Sequence, residues 1–293
     1  MTGLFDKILL MASSLKDQNS YKRFLMPLEV EKINRNSLLF YFGNIHSQRG
    51  QDGILAEIFR RLKIQHGLFV EFGAWDGMYL CNSRWLFEKG WSGVLIEARQ
   101  ERYDKLCSVY ADDKRIVKIN AMVGAPRQNV PGKSLGDLLG EHGISSGDVT
   151  FVSIDVDGPD LEIFSEMGFM PPVVLLEGGF NFSPYFIKRI PPEIAWKNIQ
   201  QPMPVIFSTA IELGYTPVCF YQDTYLVKSD LAAPFADCMG DAIQLYAEAF
   251  RFMPNDFRQA LLDKRENSEI IQKLEKEHFG RFYANPLEYE KQN

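Results

Sequence analysis

From residue 52 onward the apolar positions Ile54, Leu55, Ile58, Phe59 and Leu62 recur at helical spacing, with Asp52 placed for an N-cap or first turn. After that helix the period of the pattern switches repeatedly between two and 3.6 residues. Strands are predicted at 68–72, 93–97, 116–120, 149–155 and 173–177, with helices at 78–89, 100–110, 135–139 and 161–167 between them. Strands joined through helices take right-handed crossovers and lie parallel in one sheet. A helix at 204–213 and strands at 216–221 and 224–228 complete the series. The last two strands are separated only by a tight turn, so they pair antiparallel. Residues 3–16 read as a short amphipathic helix, while 238–252 and 256–279 read as charged helices. The expected organisation is an N-terminal helical arm over 1–46, an α/β core over 47–230 and a helical appendage over 231–293. The core is a doubly wound, mostly parallel seven-stranded sheet with an antiparallel terminal strand. The appendage serves as a lid, an oligomerisation element or plain packing.

With 46% hydrophobic and 24% charged residues, the 293-residue chain is too apolar for wholesale disorder. A net charge of −6 without a basic block argues against nucleic acid as a partner and leaves a small-molecule substrate. Cys81, Cys107, Cys219 and Cys238 have no CxxC spacing, which speaks against zinc and disulfides and for a reducing cytoplasm. The early run Ile8-Leu9-Leu10-Met11-Ala12 is shorter than a secretory core, and no stretch of eighteen apolar residues is available to span a membrane.

Chemistry concentrates at the predicted strand ends. Val70-Glu71-Phe72-Gly73-Ala74-Trp75-Asp76-Gly77 runs from an apolar strand into an acidic turn with two glycines, the place where ligands meet a parallel sheet. Gly73 permits a bend and close approach, and Gly77 relieves crowding at the expected helix start. A dinucleotide site would carry GxGxxG and free backbone donors for a pyrophosphate. Here Glu71 and Asp76 occupy the outer glycine positions, and carboxylates suit a ligand bearing an ammonium and a sulfonium, such as S-adenosylmethionine. Glu97 ends the next strand twenty-four positions after Gly73, placed to accept from both hydroxyls of a ribose. A third acidic tip, Ser153-Ile154-Asp155-Val156-Asp157-Gly158-Pro159-Asp160, gathers three carboxylates within six residues. Asp160 also suits a helix cap.

The succession FVEFGAWDG, GWSGVLIEA and FVSIDVDGPD resembles the FkbM family of S-adenosylmethionine-dependent methyltransferases, and the preceding Ser47-Gln48-Arg49-Gly50-Gln51-Asp52-Gly53 resembles that family's SQ-x-G-[QE]-D segment. The resemblance covers about residues 47–228. It implies a Rossmann-like class I methyltransferase core, cofactor contacts from Glu71, Gly73 and Glu97, and O-methylation of sugars or secondary-metabolite hydroxyls. Gln51, Ala74, Asp76, Gly77, Asn120, Ala121 and Asp155 complete the expected cofactor set. The chain departs from the family at the fifth strand end, where Glu177-Gly178-Gly179-Phe180-Asn181 replaces a Glu-Tyr-Asn-like sequence.

For a hydroxyl acceptor a base or a metal is needed. Asp155, Asp157 and His46 are the catalytic candidates, and Asp155, Asp157 and Glu177, with Asn181 behind them, form an oxygen-ligand set suited to Mg²⁺ or a similar divalent cation. Phe180, Phe182, Tyr185, Lys188 and Arg189 are the candidate acceptor contacts, the two cations facing the phosphate of a nucleotide-linked sugar. A homo-oligomer is expected. The competing functions are an NAD(P)-dependent oxidoreductase, which would share the fold and Glu97, and a non-catalytic binding module with a vestigial pocket.

Overall fold

The near-continuous apolar strands are buried on both faces, as a parallel sheet sandwiched between helices requires. Val70, Val94, Leu95, Val152, Val173, Val174 and Leu176 are all fully enclosed. The computed structural model describes residues 33–284; the arm helix expected at 3–16 lies outside the described residues. Its strands are β1 (Leu68–Phe72), β2 (Ser92–Glu97), β3 (Ile116–Asn120), β4 (Val149–Ile154), β5 (Val173–Glu177), β6 (Tyr215–Tyr221) and β7 (Asp223–Lys228). They form one seven-stranded sheet in the order β3-β2-β1-β4-β5-β7-β6. Strands β1 to β5 are parallel, and β7 is antiparallel to both β5 and β6.

The α-helices are α1 (Gln51–Leu62), α2 (Arg84–Glu88), α3 (Gln100–Val109), α4 (Leu135–Glu141), α5 (Asp160–Ser165), α6 (Pro192–Ala195), α7 (Met203–Glu212), α8 (Ala242–Phe252), α9 (Asn255–Asn267) and α10 (Glu269–Ala284). Asp52 lies in the first turn of α1, where its Oδ2 accepts from the backbone N–H groups of Ile45, His46 and Ser47 at 2.7, 2.7 and 2.9 Å. It thereby folds the preceding loop onto the helix start.

The helix expected at 78–89 is corrected to α2 alone. The Asp76 carboxylate captures the N–H groups of Met78 and Tyr79 at 2.9 and 2.8 Å, and Leu80 takes a left-handed φ of +55°. Side-chain capture of backbone donors competes with helix formation, so the chain stays irregular up to Ser83. Its residues Met78, Tyr79 and Leu80 are exposed.

Helix α8 packs on β6 and α7 and adds Leu245, Tyr246 and Ala249 to the main core. A second apolar cluster joins Phe182, Tyr185, Phe186, Ile190, Ala195 and Ile199 to Ile243 of α8 and Ile271 of α10. This cluster is fastened by a buried ion pair between Arg265 and Glu275 at 3.2 Å, and the same Glu275 oxygen accepts from the Ser183 N–H at 2.8 Å. Breaking a buried pair from one side typically costs about 3–5 kcal/mol. Glu275→Ala is therefore expected to lower the unfolding free energy obtained from denaturant titration by an amount in that range, and a loss below about 1 kcal/mol would show that the pair does not hold α10. No described helix is long and apolar enough to cross a membrane.

Candidate functional site

Because β1 to β5 run in one direction, their carboxyl ends share one edge, and Gly73, Glu97, Asn120, Asp155 and Glu177 stand at or just beyond these ends. Antiparallel β7 begins on that same edge, so Asp223 pairs in register with Glu177, as Asn120 does with Glu97. The order reverses between β1 and β4, the switch point where α/β sheets leave a crevice for ligands.

At that switch Gly73 has a φ of +74°, and a Cβ there would lie 2.4 Å from the Asp155 carbonyl oxygen. The two strand tips thus approach to a distance that only glycine allows. Glu97 is buried at the tip of β2, where it accepts from the N–H groups of Trp75 at 3.0 Å and Arg99 at 2.8 Å. A carboxylate has about four lone-pair sites, so acceptor capacity remains after those two bonds. Asn120 donates to the Glu97 carbonyl at 2.9 Å. With Ala121 it edges an open depression of about 440 Å³.

Three backbone donors of the glycine turn are turned inward. Ala74 N–H meets the Ile96 carbonyl at 3.3 Å, Trp75 N–H meets Glu97, and Gly77 N–H meets the Ala74 carbonyl at 2.7 Å. Gly77 itself packs against Tyr110 and Leu106 rather than opening a helix. Glu71 is likewise committed to the chain. Its oxygens accept from the N–H groups of Asn82 at 3.0 Å and Ser83 at 2.8 Å and from the Cys81 thiol at 3.1 Å, so in this structure it fastens the loop ahead of α2.

A carboxyl cluster lies one strand further on. Asp155, Asp157 and Glu177 offer oxygens that all fall within 4.8 Å of one another. Asp155 and Asp157 keep solvent contact, while chain atoms crowd Asp155 on its other sides. Burial, together with the charges of Asp157 and Glu71, lifts the Asp155 carboxyl to about 6, against the lowering effects of a hydrogen bond from Glu177 and the charge of Arg49. Burial and the surrounding carboxylates push Glu177 well above the usual range, so it is the protonated partner of the pair. Gln51 donates to Asp223 at 2.7 Å and accepts from the Arg49 N–H, tying the segment ahead of α1 to β7.

Burial, then repulsion from Asp155, raises Asp160 to about 8 and Asp223 to about 7, from an ordinary value of 3.8. The folded chain holds these protons more tightly than the unfolded one. The stability they contribute is therefore complete below the unfolded value and is lost as pH rises through 7 to 8. Glu57, held at about 2 chiefly by hydrogen bonding to Arg60, acts in the opposite sense and only in acid. The melting temperature is expected to fall between about pH 5 and about pH 8.5; a flat or rising calorimetric profile there would contradict these assignments.

Beyond the cluster opens a cavity of about 250 Å³ between the β5 tip and α9. Of the expected acceptor contacts only Phe180 lines it, together with Asn181. Phe182 and Tyr185 are corrected to core residues, since Phe182 stacks on Phe186 at 4.6 Å and both belong to the second cluster. Arg189 is held by Glu162 at 3.1 Å, and exposed Lys188 does not line the cavity. Asn181 is hydrogen-bonded to Gln200 and lines the same cavity as Glu177. His46 pairs with Glu88 at 2.9 Å and, among the described residues, has no bond to the strand-tip acids. Asp223, Gln200, Gln222 and Lys264 carry no motif signal, and pairing and packing alone bring them to the site.

The strand order with its reversed seventh strand defines a Rossmann-like methyltransferase fold. No family model and no curated protein matches the chain. Among solved structures it is similar to a proposed RNA methyltransferase from Pyrococcus horikoshii, at 14% identity and a TM-score of 0.35, covering 78% of this chain and 99% of that one. It is also similar to S-adenosylmethionine-dependent methyltransferases crystallised with S-adenosyl-L-homocysteine. The one from Geobacter sulfurreducens has 14% identity, a TM-score of 0.33 and coverage of 84% and 91%. The one from Thiobacillus denitrificans has 14% identity, a TM-score of 0.32 and coverage of 88% and 94%. The fold assignment rests on the strand order alone.

Proposed function

We propose that the chain is an S-adenosylmethionine-dependent methyltransferase of the FkbM-like kind, acting on a hydroxyl of a sugar or secondary metabolite. The observation that carries this reading is the glycine turn. Its N–H groups at Ala74, Trp75 and Gly77 bond to chain acceptors, those of Met78 and Tyr79 bond to Asp76, and no helix starts there. A pyrophosphate would find most of these donors taken and no helix N-terminus, which weighs against the NAD(P) reading. A cationic nucleoside instead finds the carboxylates of Glu97 and Asp155 on either side of a tip that has no Cβ.

In this reading Glu97 binds the ribose hydroxyls, Gly73 and Ala74 form the floor, and Asn120 and Ala121 border the base. When bound, S-adenosylmethionine supplies a methyl carbon already activated by its sulfonium. The chain has to align an acceptor oxygen with that carbon and exclude water, an arrangement that yields effective molarities on the order of 10⁵–10⁸ M. Asp155 takes the hydroxyl proton, while neutral Glu177 donates to it and keeps it an acceptor. The same carboxyl trio is also a donor set for a hard divalent cation. Activity retained after chelation and dialysis would leave the proton-acceptor role standing alone.

Titration calorimetry with S-adenosylhomocysteine and methyl transfer from labelled S-adenosylmethionine test the proposal together. Binding and transfer are expected. Nicotinamide oxidation or reduction without label transfer would replace the assignment with a dehydrogenase, and loss of both activities and of binding would leave a non-catalytic module.

A further inference from the structure

The cavity beside the carboxyl cluster carries its own chemistry. Arg49 lies over the Phe257 ring at 5.4 Å, and Lys264 donates to the Asn198 carbonyl at 3.3 Å. Among the described residues neither cation makes an ion pair within 4.0 Å, although both line the cavity. Burial lowers the ammonium pKa of Lys264, against the raising effect of Glu177 and Asp157. Carboxylates act on both cations only at longer range, Asp155 and Asp223 on Arg49 and Glu177 and Asp157 on Lys264, so each cation keeps hydrogen-bonding capacity toward the cavity that an anion can take up.

A second feature points the same way. Gln222 is more than nine-tenths buried and lines the same cavity, yet its side-chain amide makes no hydrogen bond with a described residue. Its backbone sits at a left-handed φ of +59°, which is unfavourable for a side chain of this kind and is kept where the surroundings impose it. The buried Oε2 of Glu177 is also without a partner. The Gln222 amide therefore keeps hydrogen-bonding capacity that a ligand in the cavity can take up. At about 250 Å³ the cavity falls just under the ~300–1,000 Å³ of sites for drug-sized ligands, so it admits one ring and not a nucleotide-linked sugar.

We infer that this cavity is the acceptor site and that its ligand is a single-ring polyhydroxylated acid, whose anionic group lies against Arg49 and Lys264 and whose hydroxyls meet Gln222 and Glu177. The inference rests on the methyltransferase reading of the neighbouring cleft and narrows the acceptor to an anionic monosaccharide. A carboxylate or a phosphate meets the same two cations, and the choice of probes separates them.

The experiment is calorimetry on the full chain with D-glucuronate, D-glucose 6-phosphate and D-glucose, each with and without saturating S-adenosylhomocysteine. At least one charged sugar is expected to bind at least tenfold more tightly than glucose, with the margin shrinking as salt is raised. The better of the two identifies carboxylate or phosphate. Lys264→Gln is expected to weaken the charged probe at least fivefold and leave glucose unchanged, while Lys264→Arg stays within twofold of the parent. Arg49→Gln should act like Lys264→Gln, and because Lys264 stands at the rim its variants carry the test if Arg49→Gln does not fold. Equal affinity for glucose and both charged sugars, no binding by any of the three, or insensitivity to Lys264→Gln overturns the inference. S-adenosylhomocysteine binding without charge preference defeats this inference alone; charge preference without S-adenosylhomocysteine binding defeats the methyltransferase reading instead.

Discussion

Replacing Glu97 with alanine is expected to lower S-adenosylhomocysteine affinity at least tenfold, read by titration calorimetry. Hydrogen bonds to charged groups contribute about 1.5–3 kcal/mol each, and a ribose diol makes two of them in the proposed pose. The structure adds a second source of loss, because Glu97 also accepts from Trp75 and Arg99. Its removal frees both the glycine turn and the start of α3. Glu97→Gln separates the two contributions, since one amide oxygen can still hold the Trp75 N–H but carries no charge for the diol. Alanine and glutamine variants that both bind as tightly as the parent would remove Glu97 from the cofactor site.

Asp155→Asn is expected to reduce methyl transfer by about 10²–10⁴-fold, the usual worth of a positioned general base. An amide keeps the shape of the side chain and cannot take a proton. The pH profile follows from the raised carboxyl. With Asp155 at about 6, its proton-accepting form is lost as pH falls below that value, so the parent should lose activity on the acid side near pH 6. In Asp155→Asn that acid limb should vanish along with most of the rate. A variant that turns over normally and has only weaker cofactor binding would reassign Asp155 to the cofactor and pass the base role to Asp157.

The alternation of strands and helices was legible because buried parallel strands such as 68–72 and 173–177 leave unbroken apolar runs between polar turns. The acidic tips at Glu97 and Asp155 were legible for the same reason, as carboxylates that end a buried strand mark its exit into solvent. The helix expected at 78–89 failed because the apolar spacing of Met78, Tyr79 and Leu80 is overridden by two carboxylates, Asp76 and Glu71, which take the donors a helix would need. In the run after β5, Phe180 borders the cavity while Phe182 and Phe186 turn into the core. Hydrophobicity alone cannot tell those two outcomes apart.

Local pattern was enough to establish strands, their parallel direction and the acidic residues at their ends, because each depends on chain neighbours a few positions away. Sheet order, the pairing of Glu177 with Asp223, the sharing of a proton between Glu177 and Asp155, and the arrival of Lys264 from a helix far along the chain depend on which elements pack together. Burial and electrostatic coupling arise only between surfaces that folding has brought into contact, so residue spacing carries no trace of them.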